Sequence, residues 1–210
     1  MVSGGLAHRN AGNRPDVDLF VVAAAGRAYT AYTALVLTTK LTGTRQAICP
    51  NYVVDERELP IAYHRDLFTA HQLLSAVPFS GRRTYEALCE ANAAWVRTYF
   101  PGFEARTTPG AVGQGPLEPD VFQEALEFVF DPVAAALEGA LRTAWRFRLR
   151  RHAAAALHAD VVLGDGILKL HLSDYRRRVL ERFASRLQAL HAQLGSGARA
   201  LRPDFDPART

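Results

Sequence analysis

The sequence predicts an α+β fold on three observations. Short runs with strand character stand at Asp16 to Ala23 and Gln46 to Asp55, where β-branched and aromatic residues gather. Much longer stretches place apolar residues at helical spacing. Glycines and prolines mark the joins between them.

From Asp16 to Ala23 the residues Val17, Leu19, Val21 and Ala23 alternate with Asp16, Asp18, Phe20 and Val22, as a strand requires. Gly26 breaks that run, and Arg27 to Leu41 reads as a helix ended by Gly43. Gln46 to Asp55 is the second strand, with an extended piece around Leu59 to Tyr63 as its expected hairpin partner. Asp66 is an N-cap for a helix carrying Leu67, Ala70, Leu74 and Val77 on one face. Pro78 and Gly81 stop it. Arg82 to Tyr99 follows as a helix whose apolar set is Tyr85, Leu88, Cys89, Trp95, Val96 and Tyr99. Prolines and glycines recur between Pro101 and Pro119. Pro119 opens a helical stretch running to about His158, with a break or kink expected at Pro132. Val161 to Leu172 is extended, with a turn at Gly164, Asp165 and Gly166. Ser173 or Asp174 caps a last helix with Tyr175, Val179, Leu180, Phe183, Leu187 and Leu190. The expected organisation is a core over 1–100, a loop over 101–118, a mainly helical region over 119–194 and a tail over 195–210.

Bulk numbers narrow the class further. Apolar residues make up 49% of the 210 and charged residues 22%, enough material for a real core. Only Lys40 and Lys169 are lysines; the arginine bias and the many alanines read as GC-rich coding rather than function. A net charge of +4 favours anionic ligands only slightly. Cys49 and Cys89 form neither a metal-ligand spacing nor a disulfide framework, and reduced thiols in a cytoplasmic protein are expected. Leu19 to Leu41, the most apolar stretch, is broken by Gly26, Arg27 and Lys40, so it reads as strand then helix rather than a membrane span.

The chemistry concentrates near the start. Ser3, Gly4 and Gly5 form a glycine turn, and ten residues, Leu6 to Pro15, separate it from Asp16-Val17-Asp18. Paired glycines let the backbone approach an anion with no Cβ in the way, and exposed amides there can bind triphosphate oxygens. Carboxylates at i and i+2 of a strand share a face, where they can hold Mg²⁺ together with substrate phosphates. Taken singly, Asp-x-Asp is two solvated carboxylates near a strand start and Gly-Gly is only a turn.

Together, in this order and followed by Leu19-Phe20-Val21-Val22, they resemble the signature of the DNA polymerase beta superfamily of nucleotidyltransferases. Cys49-Pro50-Asn51-Tyr52-Val53-Val54-Asp55-Glu56, Asp66-Leu67-Phe68-Thr69-Ala70-His71 and Val161 to Arg182 are similar to the middle and end of bacterial nucleotidyltransferase-domain proteins. The resemblance covers most of the chain. It implies a polymerase-beta-like core, a small mixed sheet with helices packed on one side, and a mainly helical C-terminal region. The implied reaction transfers a nucleoside monophosphate from an NTP, expected to be ATP, to a hydroxyl or similar acceptor, with two Mg²⁺ ions and release of pyrophosphate. Asp16 and Asp18 are the expected metal ligands, Asp55 the expected third catalytic acid, and Ser3, Gly4, Gly5 and Lys169 the expected nucleotide contacts. The acceptor is a small molecule such as an aminoglycoside, a protein side chain, or RNA; a non-catalytic member binding nucleotide or a partner protein is the alternative.

Two departures from the signature stand out. Asn51 shares a strand face with Cys49, Val53 and Asp55 and stands where an acid is expected, while Asp55 also reads as a strand-end residue entering a turn. Only Met1 and Val2 precede Ser3, so the first strand is expected to be largely missing and the edge beside Asp16 to Val22 exposed. His64 and His71 read as helix-surface histidines, Lys169 and His171 share one face of a hairpin, and Arg142, Arg146, Arg150 and Arg151 read as a solvated face.

Overall fold

A computed structural model describes residues 1–7, 16–102, 121–155, 160–171 and 175–194. It is an α+β structure built on a mixed five-stranded sheet. The strands are β1 (Val2–Ser3), β2 (Val17–Ala23), β3 (Ile48–Asp55), β4 (Asp160–Leu163) and β5 (Ile167–His171), in the order β1-β2-β3-β5-β4. Helices α1 (Gly4–Ala7), α2 (Ala28–Leu41), α3 (Leu67–Ser75), α4 (Arg82–Tyr99), α5 (Val121–Ala155) and α6 (Tyr175–Leu194) complete it. Among the described strands only β2 and β3 run parallel, so a crossover must join them, and α2 supplies it.

Both faces of the sheet are covered, where helices on one side were expected. Neighbouring residues of each inner strand are apolar on opposite faces, as in a sheet buried twice. Tyr52, Val54, Phe20 and Ile167 pack with Leu73 of α3 and Leu88 and Val96 of α4. Val53 and Leu168 pack on the other side with Tyr29, Tyr32 and Val36 of α2, against which Leu141, Trp145 and Leu149 of α5 close.

Several local expectations change. Leu59 to Tyr63 is not a strand: Asp55 instead caps a 3-10 turn over Glu56–Glu58. Fully buried Asn92 of α4 then pins the following loop, accepting from the Ile61 N–H at 2.9 Å and donating to the Leu59 carbonyl at 2.8 Å. A polar side chain inside an apolar helix face is invisible to a search for apolar spacing. Helix α5 runs unbroken through Pro132, because a proline removes one helical hydrogen bond and a helix of 35 residues retains its other turns. The segment expected as a helical extension also completes the sheet, with β5 lying directly beside β3.

The start of the chain lies along β2. Val2 and Ser3 pair antiparallel with Leu19 and Asp18, and Phe20 donates its N–H to Met1. The far side of Val2 is bridged to Val77 by two backbone hydrogen bonds of 2.9 Å. The edge expected to be exposed is therefore paired at Asp18 to Phe20. The capping positions Ser173 and Asp174, most of the loop expected over 101–118 and the tail 195–210 lie outside the described residues.

Two carboxylates hold helix starts, one from the neighbouring residue and one from a distant segment. Asp66 caps α3 as expected, accepting from the Thr69 N–H at 2.8 Å, and its other oxygen pairs with Arg176 of α6. At α2, Arg27 makes no side-chain cap. Glu138 of α5 takes that place, accepting from the Tyr29 and Thr30 N–H groups at 2.9 and 2.8 Å and from the Thr30 hydroxyl at 2.7 Å. Its truncation leaves two amides of the first turn without acceptors. Glu138→Ala is expected to lower stability by about 3 kcal/mol and Glu138→Gln, which keeps an acceptor, by about 1 kcal/mol, in urea unfolding of the whole chain.

Candidate functional site

The glycine turn and the strand acid meet. Strand β1 ends at Ser3, Gly4 enters α1 at φ +69°, and the chain there presses on Asp18. A Cβ on Gly4 would lie 2.1 Å from Asp18 Oδ2, so only glycine allows both this turn and this approach. The Ser3 hydroxyl donates to the Asp18 carbonyl at 3.3 Å. Gly5 lies in the same short helix. Asp16 is exposed, one residue before β2 begins.

Asp18 is half-buried, and this raises its pKa to about 6, first by desolvation and then by the negative charge of Asp16. Its Oδ1 accepts from the side-chain amide of Asn51, which a register shift between Leu19 and Phe20 brings alongside. Asn51 thus stands beside Asp18, where the resemblance implies a third carboxylate. Among the described residues no group of three or more His, Cys, Asp or Glu is placed to hold a metal ion.

Asp55 is not brought to the pair. It ends β3 opposite Ala23, at the other end of β2 from Asp18. Its buried carboxylate accepts from the Gly26 N–H at 2.9 Å, the Arg57 N–H at 2.9 Å and the Arg57 guanidinium at 2.6 Å. Burial pushes its pKa up, but those hydrogen bonds outweigh burial and hold it below the ordinary range. Its position is that of the strand-end residue entering a turn, and its partners make it a structural carboxylate.

Lys169 does reach the site. It pairs with Tyr52 across β3 and β5, is 6% exposed, and lines a cleft together with Ser3, Asp18, Asn51 and Gln72. That cleft has a volume of about 30 Å³, space for one or two waters. The histidines stay apart from it: His64 precedes the α3 cap in a left-handed conformation, φ 54°, and burial lowers the pKa of His71 on α3. Arg142 and Arg146 are not a bare solvated face, since both pair with Asp165 of the β4–β5 turn, at 3.4 and 2.9 Å. The side chain of His171 lies outside the described residues. No helix among the described residues is long and apolar enough to cross a membrane.

A carboxyl whose pKa is raised by folding is penalised only when ionised. The metal-free chain should lose stability as pH rises from about 4 to about 6, and Asp18→Asn should flatten that slope and be more stable than the parent at pH 7, both read by thermal melting. Gly4→Ala should displace the Asp18 carboxylate and strain the turn, lowering the melting temperature by several degrees, about 1–3 kcal/mol.

Searches of protein-family models, curated proteins and solved structures return no significant match to this chain.

Proposed function

We propose that the chain is a nucleotidyltransferase with a polymerase-beta-like core, transferring a nucleoside monophosphate from an NTP, ATP by preference, to a hydroxyl-type acceptor with release of pyrophosphate. The observation that carries this reading is the contact of the Gly4 backbone with Asp18, next to Asp16. Separately these residues are a turn and two acids. Brought together, they put an anion-binding backbone beside a cation-binding pair.

The residues present suit Mg²⁺. Asp18 is held half-buried against a second negative charge, an arrangement that a cation relieves. Asn51 offers an amide whose oxygen and nitrogen exchange on a flip of its side chain, so it can donate to Asp18 or present oxygen to a metal. Asp16, Asp18 and Asn51 would hold the ion, which supplies charge neutralisation for the phosphates and activation of the acceptor oxygen. Ser3 and the Gly4–Gly5 turn orient the triphosphate. Lys169 adds positive charge from the wall of the cleft. A cleft of about 30 Å³ has no room for a nucleoside, so the nucleotide lies across its mouth. The acceptor belongs to one of three classes: a small molecule, a protein side chain or RNA.

The absence of a third carboxylate beside Asp16 and Asp18 among the described residues favours a second reading, nucleotide binding without transfer. Pyrophosphate release from each of four NTPs with Mg²⁺, over a panel of acceptors, separates the two. The first reading expects turnover that Asp18→Asn reduces to background, about 10³-fold or more, with the fold intact. The second expects Mg²⁺-dependent ATP binding and no pyrophosphate. Neither binding nor turnover with any NTP would refute both.

A further inference from the structure

The face of the sheet covered by α2 and α5 carries a second and larger opening, with a volume of about 380 Å³. It is separated from the acid pair by β3, and Asn51 borders both clefts. Tyr32 and Val36 of α2 and Trp145 and Leu149 of α5 form its apolar wall. The wall is fixed in place: the two rings meet edge to face with centroids 4.9 Å apart, and the Trp145 indole N–H donates to the Thr33 hydroxyl at 2.8 Å.

Its charged residues are of one sign. Lys40, Arg45, Arg148 and His152 line it, and among the described residues no aspartate or glutamate does. Among the described residues Lys40 and Arg148 form no salt bridge. Arg45 gives one N–H to the Ile48 carbonyl at 3.3 Å and retains further donors. Both guanidinium groups act on the Tyr32 phenol, opposing the rise in pKa that burial causes, so they lie close to the aromatic wall. Three permanent positive charges gathered on an apolar recess repel one another. An anion seated between them relieves that repulsion, and a dianion does so more fully than a single carboxylate.

We propose that this cleft binds a small phosphate ester with an aromatic or apolar body, its phosphate held by Lys40, Arg45 and Arg148 and its body laid against Tyr32 and Trp145. The volume falls within the range of sites that enclose such molecules. The site is independent of the transfer reaction proposed above, because Asp16, Asp18 and Lys169 are not needed to form it.

The test is calorimetric titration of the full chain with 1-naphthyl phosphate, with tryptophan fluorescence followed in parallel. Inorganic phosphate, 1-naphthol and 1-naphthoate are the comparison ligands. We expect one saturable site, with each comparison ligand about tenfold or more weaker. Arg148→Gln and Lys40→Gln, both exposed positions, should each weaken binding about tenfold without changing the circular dichroism spectrum. Asp18→Asn should leave binding unchanged or slightly tighter, which separates this site from the acid pair even if no transferase activity is found. The proposal is overturned by the absence of saturable binding, by full affinity in the Lys40→Gln/Arg148→Gln double variant, or by loss of binding in Asp18→Asn. Equal affinity for 1-naphthoate would overturn the assignment to a dianionic phosphate.

Discussion

At the end of β3 a buried carboxylate joins three segments that are far apart in the chain. Asp55 accepts from Gly26, where β2 turns into α2, and from Arg57, where β3 turns into the 3-10 segment. Its own N–H goes to the Gly166 carbonyl at 2.8 Å, in the turn between β4 and β5. A Cβ on Gly166 would stand 2.5 Å from the carboxylate, so a glycine is needed there for the turn to close on it. The parallel β2–β3 pair, the crossover helix and the C-terminal hairpin all take their positions from this contact. A charge placed so deeply is tolerated because its hydrogen bonds replace the water it loses.

The same device recurs at two places where the C-terminal half meets the N-terminal half. Glu138 of α5 closes the start of α2, and Arg176 of α6 closes on the Asp66 cap of α3. Tyr29 adds a third tie, since its hydroxyl donates to the Gly164 carbonyl at 2.8 Å and accepts from Arg146 at 3.2 Å. Apolar packing holds the two halves together without choosing a register. Directional bonds to caps and turns do choose one, which accounts for a small sheet being assembled from strands more than a hundred residues apart.

Around the start of β3 charged groups border both clefts, with Lys169 beside Asp18 in one and Arg45 in the other. Asp18 lines the cleft on one side of Asn51 and Arg45 the opening on the other; the Cys49 thiol, raised first by burial, is pushed further up by Asp16 and Asp18 and drawn down by Arg45. An acid pair and a basic recess therefore share one end of the sheet with only a strand between them.

Much of this was legible in the sequence because it is local. Alternation from Val17 to Ala23, the Asp66 cap, the Gly81 break before α4 and the Gly164–Gly166 turn each depend on a few consecutive residues, and each is found where the pattern put it. The nearness of Gly4 to Asp18 was expected as well, from the resemblance that the glycine turn and the strand acids carry together. What the tertiary structure alone decided concerns partners remote in sequence. Asp55 looks the same in the chain whether it faces a metal or an arginine, and the register of β3 together with Gly166 assigns it the second role. Arg142 and Arg146 look solvated until Asp165 arrives from another element, and Glu138 looks like any helix-surface acid until α2 starts against it. The basic cleft on Tyr32 and Trp145 has no sequence signature at all, because it exists only where α2, α5 and the β4–β5 hairpin leave a gap. Local patterns arise from backbone geometry, which consecutive residues dictate. The destination of a long polar side chain depends on which surfaces meet, and that is determined by packing of the whole sheet.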